Sequence, residues 1–221
     1  MGFVVAIDGP AGSGKGTIAK LIGERLKLVN IDTGAMYRCI ALQMLREKIG
    51  LDEEEKIKDI LEKTDIVLNS DEDEYKVYMN GEDVSLAIRT EEVSNFVSPM
   101  SKIQIIRDKL IDMQRKTAEN ADIVMEGRDI GTNVFPNANV KIYLDATPEE
   151  RARRRVLQNK EKGLEVDYSV VLEDIKARDY RDSTREINPL KKAEDAVYLD
   201  TTNLSIEEVV EKVIEIINNA K

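Results

Sequence analysis

One stretch near the amino terminus constrains the fold more than any other. It reads Val4-Val5-Ala6-Ile7-Asp8-Gly9-Pro10-Ala11-Gly12-Ser13-Gly14-Lys15-Gly16-Thr17. An apolar run enters a glycine-rich turn, and apolar residues at helical spacing follow, which predicts a strand, a phosphate-binding loop and a helix. Glycines let backbone N–H groups turn inward around a phosphate, and the helix N-terminus adds partial positive charge. Lys15 supplies a full charge for the outer phosphates of a nucleotide.

The end of this loop departs from the general motif. Gly16 follows Lys15, and the hydroxyl comes one residue later, at Thr17. This Gly-Lys-Gly-Thr form resembles nucleoside monophosphate kinases more than GTPases or motor ATPases. In that form we expect the Thr17 hydroxyl near the β-phosphate and the hydrated Mg²⁺. We expect ATP phosphates and water to hold the ion, and we assign no side chain as a direct ligand.

Composition excludes several kinds of chemistry. The chain has 221 residues, a net charge of −10, one cysteine and no histidine. These counts exclude an intramolecular disulfide, a Cys/His zinc site and a Ser-His-Asp mechanism. An acidic chain is a poor candidate for nucleic-acid binding, although a local basic cleft can still take a small phosphorylated ligand. Because no leader pattern and no apolar run of membrane-spanning length occurs, we expect a cytoplasmic protein without membrane contact. Nothing in the sequence demands more than a monomer.

Apolar runs of strand length alternate with helical periodicity along the chain. The runs predicted to form the main sheet are residues 4–7, 28–31, 123–126, 140–144 and 196–200. Strands that alternate with helices imply a parallel sheet covered by helices on both faces. Since the first strand carries the phosphate loop, the sequence predicts an α/β protein with a P-loop NTPase fold and a five-stranded parallel sheet.

Two inserts interrupt this pattern. Residues 65–88 change to strand periodicity around the turn signal Asn80-Gly81, which predicts a small antiparallel sheet. Helical spacing predicts a helix over 91–119, interrupted at Pro99, and the acidic tract 71–74 is interpreted as a solvated loop. We predict one domain, residues 1–221, with a core of 1–32, 108–150 and 190–221, one insert of about 33–107 and a second, helical lid region of about 150–189.

A second predicted helix, over about 169–183, carries a regular charge pattern. Arg178, Asp182 and Arg185 are spaced i, i+4 and i+7, so they share one face if the helix persists. Spacing alone favours a surface ion-pair ladder worth about a few tenths of a kcal/mol. A ligand-binding face is the alternative.

Charged residues also follow the predicted strand ends. Arg128 and Asp129 come just after an apolar strand and a glycine, where open α/β sheets bind ligands, so we interpret this pair as functional. Guanidinium groups match phosphate oxygens with two parallel hydrogen bonds, and several in one cleft suit phosphoryl transfer. The arginines at strand ends or in the inserts are Arg38, Arg107, Arg128, Arg151, Arg154, Arg178, Arg181 and Arg185.

Together with the loop, three further segments resemble the bacterial cytidylate kinase family. They are Asp32-Thr33-Gly34-Ala35-Met36-Tyr37-Arg38, Gly127-Arg128-Asp129-Ile130-Gly131-Thr132 and Arg178-Asp179-Tyr180-Arg181-Asp182. The resemblance covers essentially the whole chain, and its first two segments are more specific than the loop. It implies transfer of the γ-phosphate of ATP to CMP or dCMP with Mg²⁺, a monophosphate-binding role for the first insert, and binding rather than a surface ladder for the Arg178 face.

The resemblance also implies roles for individual residues. Residues matched to ATP are Gly9, Pro10, Ala11, Gly12, Ser13, Gly14, Lys15, Gly16 and Thr17, with Arg151 and Arg154 on the helix beside the lid. Residues matched to cytosine are Thr33, Ser98, Arg107 and Asp129; those matched to the sugar are Arg178 and Asp182; those matched to the transferred phosphate are Arg38, Arg128 and Arg185. Catalysis is assigned to Lys15, Arg38, Arg128 and Arg185 with Mg²⁺. The family often has serine at position 33, and Thr33 keeps the hydroxyl.

Three other functions stay open at this point. A related P-loop kinase could use AMP, UMP or a metabolite hydroxyl as its acceptor. A GTP-binding switch needs Asp-x-x-Gly and Asn-Lys-x-Asp, yet the first is absent and Asn159-Lys160-Glu161-Lys162 ends in lysine. A non-catalytic nucleotide-binding module would bind without transfer, and the intact Lys15 and Arg128 argue against it.

Overall fold

The computed structural model describes residues 2–70, 75–161 and 163–220. The strands are β1 (Val4–Asp8), β2 (Val29–Asp32), β3 (Ile66–Ser70), β4 (Tyr75–Met79), β5 (Glu82–Asp83), β6 (Ile123–Gly127), β7 (Val140–Asp145) and β8 (Val197–Asp200). The α-helices are α1 (Lys15–Leu26), α2 (Thr33–Glu47), α3 (Glu54–Lys63), α4 (Glu91–Met100), α5 (Gln104–Thr117), α6 (Pro148–Glu161), α7 (Tyr168–Thr184) and α8 (Ile206–Asn219).

The main sheet is parallel and is covered on both faces. Within the described residues it has five strands in the order β2-β6-β1-β7-β8. On one face α1 and α8 bury residues such as Ile22 and Val213 against β1 and β7. On the other face α2, α5 and a single wide helical turn at Ile130–Val134 bury Met36 and Leu110. The predicted fold class is confirmed.

Strand register brings the site together. Asp8, the last residue of β1, pairs with Gly127 of β6, and Asp32 at the end of β2 pairs with Glu126. The carboxyl ends of these three neighbouring strands are therefore level, and the segments that follow them meet at one edge of the sheet. This is the edge at which open α/β sheets bind ligands.

A smaller antiparallel sheet lies in the predicted insert. In the described residues its strand order is β3-β4-β5. The turn from β4 to β5 has left-handed backbone at both positions, with φ of 52° at Asn80 and 81° at Gly81. This is the geometry of the predicted tight hairpin. Strand β5 has two residues and was not predicted, and the tract 71–74 lies outside the described residues.

The predicted break at Pro99 is misplaced. Pro99 lies in the last turn of α4, and the chain leaves helical geometry at 101–103 before α5 begins. Proline removes one backbone donor, but its fixed φ suits a helix, so the turn is completed before the chain bends. In the described ranges, none of the helices combines the length and apolar character that crossing a bilayer requires.

Candidate active site

The loop between β1 and α1 is a turn whose shape depends on glycine. Gly9, Gly12 and Gly14 have φ angles of 154°, 79° and 92°. L side chains rarely adopt such values. A Cβ atom on Gly9 would also lie 2.0 Å from the Leu144 carbonyl oxygen. The predicted strand, loop and helix are present in this order.

Lys15 lies inside this loop and is almost fully buried. Its Nζ donates to the Pro10 carbonyl oxygen at 3.0 Å and lies 3.7 Å from Oε2 of Glu126. Burial, with a smaller effect of the Arg128 guanidinium, lowers the pKa of Lys15 to about 8, while the Glu126 and Asp8 carboxylates oppose the shift. An anion bound beside this ammonium would favour its charged form.

Glu126 is a site residue that the sequence analysis did not assign. Its carboxylate lies beside the Lys15 ammonium, and burial raises its pKa. A Cβ atom on Gly16 would lie 3.4 Å from Oε1 of Glu126. A signal in the sequence could have indicated this residue, because it is acidic and lies near the end of an apolar strand. Burying a charge there is costly unless the charge pairs with another group or a ligand.

The start of α2 places Thr33 and Arg38 at the same edge. Asp32 caps the helix, since its Oδ1 accepts from the Ala35 N–H at 2.9 Å. Its other oxygen, Oδ2, accepts from Arg38 Nη2 at 2.9 Å. The Thr33 hydroxyl donates to the Glu126 carbonyl oxygen at 2.8 Å. Among the described residues, Arg38 Nε is buried without a hydrogen-bond partner.

Asp129, just after β6, accepts hydrogen bonds from two segments that are distant in the chain. Arg107 Nη2 donates to Oδ2 of Asp129 at 2.5 Å, and Asn133 Nδ2 donates to the same oxygen at 3.3 Å. Arg185 Nη2 donates to Oδ1 at 3.3 Å. The Tyr37 ring lies beneath Arg107, with 5.8 Å from the guanidinium carbon to the ring centroid, a cation–π contact. The structure brings together the sequence-predicted Arg107, Asp129 and Arg185.

Ser98 joins this cluster indirectly. Arg107 Nη1 donates to the Ser101 carbonyl oxygen at 3.3 Å, and the Ser101 hydroxyl donates to the Ser98 carbonyl oxygen at 3.0 Å. Within the described part of the chain, Arg107 Nε is buried with no hydrogen-bond partner. The Arg107 Nε–H is therefore a donor that is still available beside the α4–α5 connection.

Asp182 connects the predicted lid to the end of β6. Arg128 Nε donates to Oδ2 of Asp182 at 3.0 Å, whereas Arg178 Nε lies 4.0 Å from that oxygen. Burial, followed by repulsion from Arg128, lowers the pKa of Arg178 to about 10. The shorter contact of Asp182 runs to another element, so the structure does not support an ion-pair ladder along one helix.

Arg185 reaches the site from outside the helix, so the i, i+4, i+7 face, which required the helix to persist, does not extend to it. Helix α7 ends at Thr184, and Arg185 has extended backbone with φ −64° and ψ 142°. Its Nε donates to the Asn188 carbonyl oxygen at 2.7 Å. Asn188 has a left-handed φ of 47°, and after Pro189 the Leu190 N–H donates to the Asp182 carbonyl oxygen at 2.8 Å, so the chain turns back against the end of α7.

The two arginines expected near ATP make protein contacts around the loop. Arg151 is buried and donates to the Ala11 carbonyl oxygen at 3.0 Å and to both carboxylate oxygens of Asp179, at 3.0 and 2.6 Å. Arg154 donates to the hydroxyl and carbonyl oxygens of Thr201, at 3.2 and 2.6 Å. Arg151 thus ties α7 to the phosphate loop, and Arg154 ties α6 to the segment after β8.

The residues present fit a metal ion carried by a nucleotide rather than one held by the protein alone. In the parts of the chain that the structure describes, no group of three or more His, Cys, Asp or Glu side chains could hold a metal ion. Mg²⁺ prefers oxygen ligands and is often bound by one or two protein groups plus substrate phosphates. Thr17, which follows Gly16 in the chain, and Glu126, whose Oε1 would lie 3.4 Å from a Cβ on Gly16, would offer a hydroxyl and a carboxylate of this kind.

Comparison with known proteins decides the family. A family model described as cytidylate kinase matches residues 5–219. The chain belongs to the cytidylate kinase family. It is similar to the cytidylate kinase of Bacillus subtilis (strain 168), with 50% identity over 211 residues that cover 96% of this chain and 94% of that protein. The cytidylate kinase of Fusobacterium nucleatum subsp. nucleatum is 49% identical over 219 residues, covering 99% of each.

Membership makes the chain a nucleoside monophosphate kinase, which is a transferase. A solved structure of a sugar kinase from Janibacter sp. HTCC2649 has a TM-score of 0.50 and 13% identity, covering 99% of this chain and 95% of that one. At this identity the likeness concerns the fold alone. It agrees with the α/β architecture expected from the phosphate loop.

Proposed function

We propose that the chain transfers the γ-phosphate of ATP to CMP or dCMP, giving CDP or dCDP and ADP, with Mg²⁺. The observation that carries this proposal is the buried Asp129 carboxylate, held by Arg107 and Arg185 at a strand end beside the phosphate loop. Relatives of about half identity are named cytidylate kinases, which supports CMP as the acceptor.

The hydrogen-bonding capacity of Asp129 suits cytosine. A carboxylate has about four acceptor sites. Within the described residues, Arg107 and Asn133 bond to Oδ2 and Arg185 alone bonds to Oδ1, so Oδ1 can still accept from the N4 amine of cytosine. Uracil presents a carbonyl oxygen there, which a carboxylate repels. This difference favours CMP over UMP.

Thr33 and Arg107 complete the proposed base site. The Thr33 hydroxyl donates its proton to the Glu126 carbonyl, so only its lone pairs remain for a ligand, and we propose that they accept from the same amine. The unpartnered Nε of Arg107 can donate to O2 or N3 of the base. We place Ser98 at the edge of this site because it contacts the Arg107 cluster through Ser101.

The remaining arginines suit the sugar and the transferred phosphate. Arg38 and Arg128 each pair with one carboxylate, that of Asp32 and that of Asp182, and each can exchange that partner for a phosphate. Arg185 joins them around the phosphate. We assign Arg178 and Asp182 to the sugar, where CMP and dCMP differ by the 2′-hydroxyl.

Catalysis in this proposal needs no general base, because the acceptor is already a phosphate oxyanion at neutral pH. Lys15 and the arginines position both phosphates and neutralise their charge. When bound, Mg²⁺ neutralises charge on the β- and γ-phosphates. We propose that the insert of about 33–107 and the lid of about 150–189 close over the core and exclude water, which suppresses ATP hydrolysis. The cytoplasmic location and the monomeric state stay predictions.

Calorimetric titration with CMP and with UMP tests the base site without turnover. We expect CMP to bind about 10- to 100-fold more tightly, the value of one charge-assisted hydrogen bond. Asp129→Asn, which has similar shape and no charge, should remove most of that preference. Equal affinities for CMP and UMP in the native chain would contradict the assignment of Asp129. Tight binding of CMP and ATP without any transfer would favour a binding module.

A further inference from the structure

Asp8 is a buried carboxylate at the start of the phosphate loop. It ends β1 and immediately precedes Gly9 of the phosphate loop, and only 5% of the residue is exposed. Its Oδ1 accepts from the Ile130 N–H at 2.8 Å, and its Oδ2 accepts from the Gly131 N–H at 2.7 Å. A single side chain therefore joins the start of the loop to the segment after β6.

The two amides that bind Asp8 follow Asp129 directly. The Asp129 carbonyl oxygen accepts from the N–H groups of Asn133 and Val134, at 2.9 and 3.2 Å. The backbone around Asp129 is thus held from both sides, by its own turn and by Asp8. Since the direction of the Asp129 carboxylate follows from this backbone, so do its contacts with Arg107 and Arg185.

Close packing adds to the precision of this bridge. A Cβ atom on Gly131 would lie 3.4 Å from Oδ2 of Asp8 and 3.2 Å from Cδ of Lys141. Gly131 is therefore packed closely against both side chains. Burial raises the pKa of Asp8 to about 6, but the two amide donors favour the charged form. The carboxylate is therefore mostly ionised at neutral pH and accepts at both oxygens.

We propose that Asp8 is a positioning residue that couples the donor-phosphate loop to the base-reading carboxylate of Asp129. This inference rests on the proposed function of Asp129. Asp8 touches neither nucleotide, and it acts by holding the Ile130 and Gly131 amides so that Asp129 presents its free lone pair to the base. Strain or motion at the loop would be transmitted to the CMP site through this pair of hydrogen bonds.

Asp8→Asn is the direct test, because asparagine keeps the shape but offers one acceptor oxygen and an NH₂ group that faces an N–H donor. We expect calorimetry to show about tenfold weaker CMP binding, as for one lost charged hydrogen bond, and ATP binding changed by less than about threefold. Asp129→Asn and the double variant complete a cycle. If Asp8 acts through Asp129, Asp8→Asn has no further effect in the Asp129→Asn background.

Asp122→Asn is a matched control in the same pair of strands. Oδ1 of Asp122 accepts from the Phe3 N–H at 2.6 Å, just before β6 and β1 begin. It is also an aspartate that joins the two strands through a backbone amide, but it lies at the opposite end of the sheet. We expect Asp122→Asn to leave the affinities for CMP and ATP unchanged.

Two results would overturn the role of Asp8. One is that Asp8→Asn weakens the binding of CMP and of ATP equally. The other is that its loss of CMP affinity simply adds to the loss caused by Asp129→Asn. If Asp8→Asn does not fold, Asp8→Glu tests the same bridge, because it keeps the charge but lengthens the side chain that accepts from the two amides, and unchanged CMP affinity in that variant contradicts the proposal. A native chain that does not bind CMP would instead contradict the proposed function.

Discussion

Arg107 Nη2 and Asp129 Oδ2 lie 2.5 Å apart although 1% and 9% of their side chains are exposed. Two charges that are this deeply buried are stable together because their mutual attraction offsets the desolvation of each group. Removing one of them leaves a buried charge behind, which costs more than the pair contributes. In the proposed function, this pair therefore connects the stability of the fold to recognition of the base.

Asp129→Ala should lower kcat/KM for CMP about 10- to 100-fold, because a charge-assisted contact of about 1.5–3 kcal/mol is lost. KM for ATP should change little. Arg107 and Arg185 lose their common partner, so we also expect the free energy of unfolding to fall by about 3 kcal/mol or more. Steady-state kinetics and denaturant titration measure both effects. Unchanged kinetics with CMP would show that Asp129 does not read the base.

The lowered pKa of Lys15 predicts that ATP affinity depends on pH. Burial lowers that pKa to about 8, so in the free enzyme the ammonium loses its proton as the pH rises through 8. Bound phosphates favour the charged form, and ATP affinity should therefore fall above pH 8, approaching about tenfold per pH unit. Titration calorimetry between neutral and alkaline pH measures the slope. Lys15→Arg stays charged, so its slope should be flat; a flat slope in the native chain would contradict the prediction.

Arg151→Lys should weaken ATP binding without affecting CMP. The planar guanidinium contacts both oxygens of Asp179 and the Ala11 carbonyl oxygen, and a lysine ammonium cannot reproduce this fork. We expect KM for ATP to rise several-fold and the melting temperature to fall. Arg153→Lys is the matched control, because Arg153 is exposed on the same helix and pairs with Glu150. Equal effects of the two substitutions would argue against a tie between the loop and α7.

Ser205→Ala should change stability and leave catalysis alone. Ser205 and Glu208 form a complete capping box at the start of α8, as their spacing predicts. Loss of the cap should cost about 1 kcal/mol, or about 2–4 °C in melting temperature for a chain of this size. Differential scanning calorimetry measures the shift. A parallel loss of activity would show that α8 influences the site.

Local signals explain why much of the fold was predictable. The loop glycines and the Asn80-Gly81 turn each act over a few residues, so their consequences follow from spacing. Strand ends also predicted that Arg128 and Asp129 lie at the edge of the sheet where open α/β sheets bind ligands.

Contacts between distant segments were not predictable in the same way. Asp8 reaches amides 122 and 123 residues away, and the neighbours of Lys15 include Glu126 from another strand. No spacing rule encodes such pairings. Arg185 also shows that a residue beyond the end of a helix can reach the site, because its contacts are set by the turn at Asn188 rather than by helical spacing.

Nucleoside diphosphate formation from ATP and Mg²⁺, with CMP, dCMP, UMP, AMP and GMP supplied separately, tests the proposed activity most directly. We expect CDP and dCDP to form rapidly, UMP to react at least about tenfold less efficiently, and chelation of Mg²⁺ to stop the reaction. Preference for AMP, GMP or UMP would contradict the roles given to Thr33, Ser98, Arg107 and Asp129, and absence of transfer to every acceptor would contradict the proposed function itself.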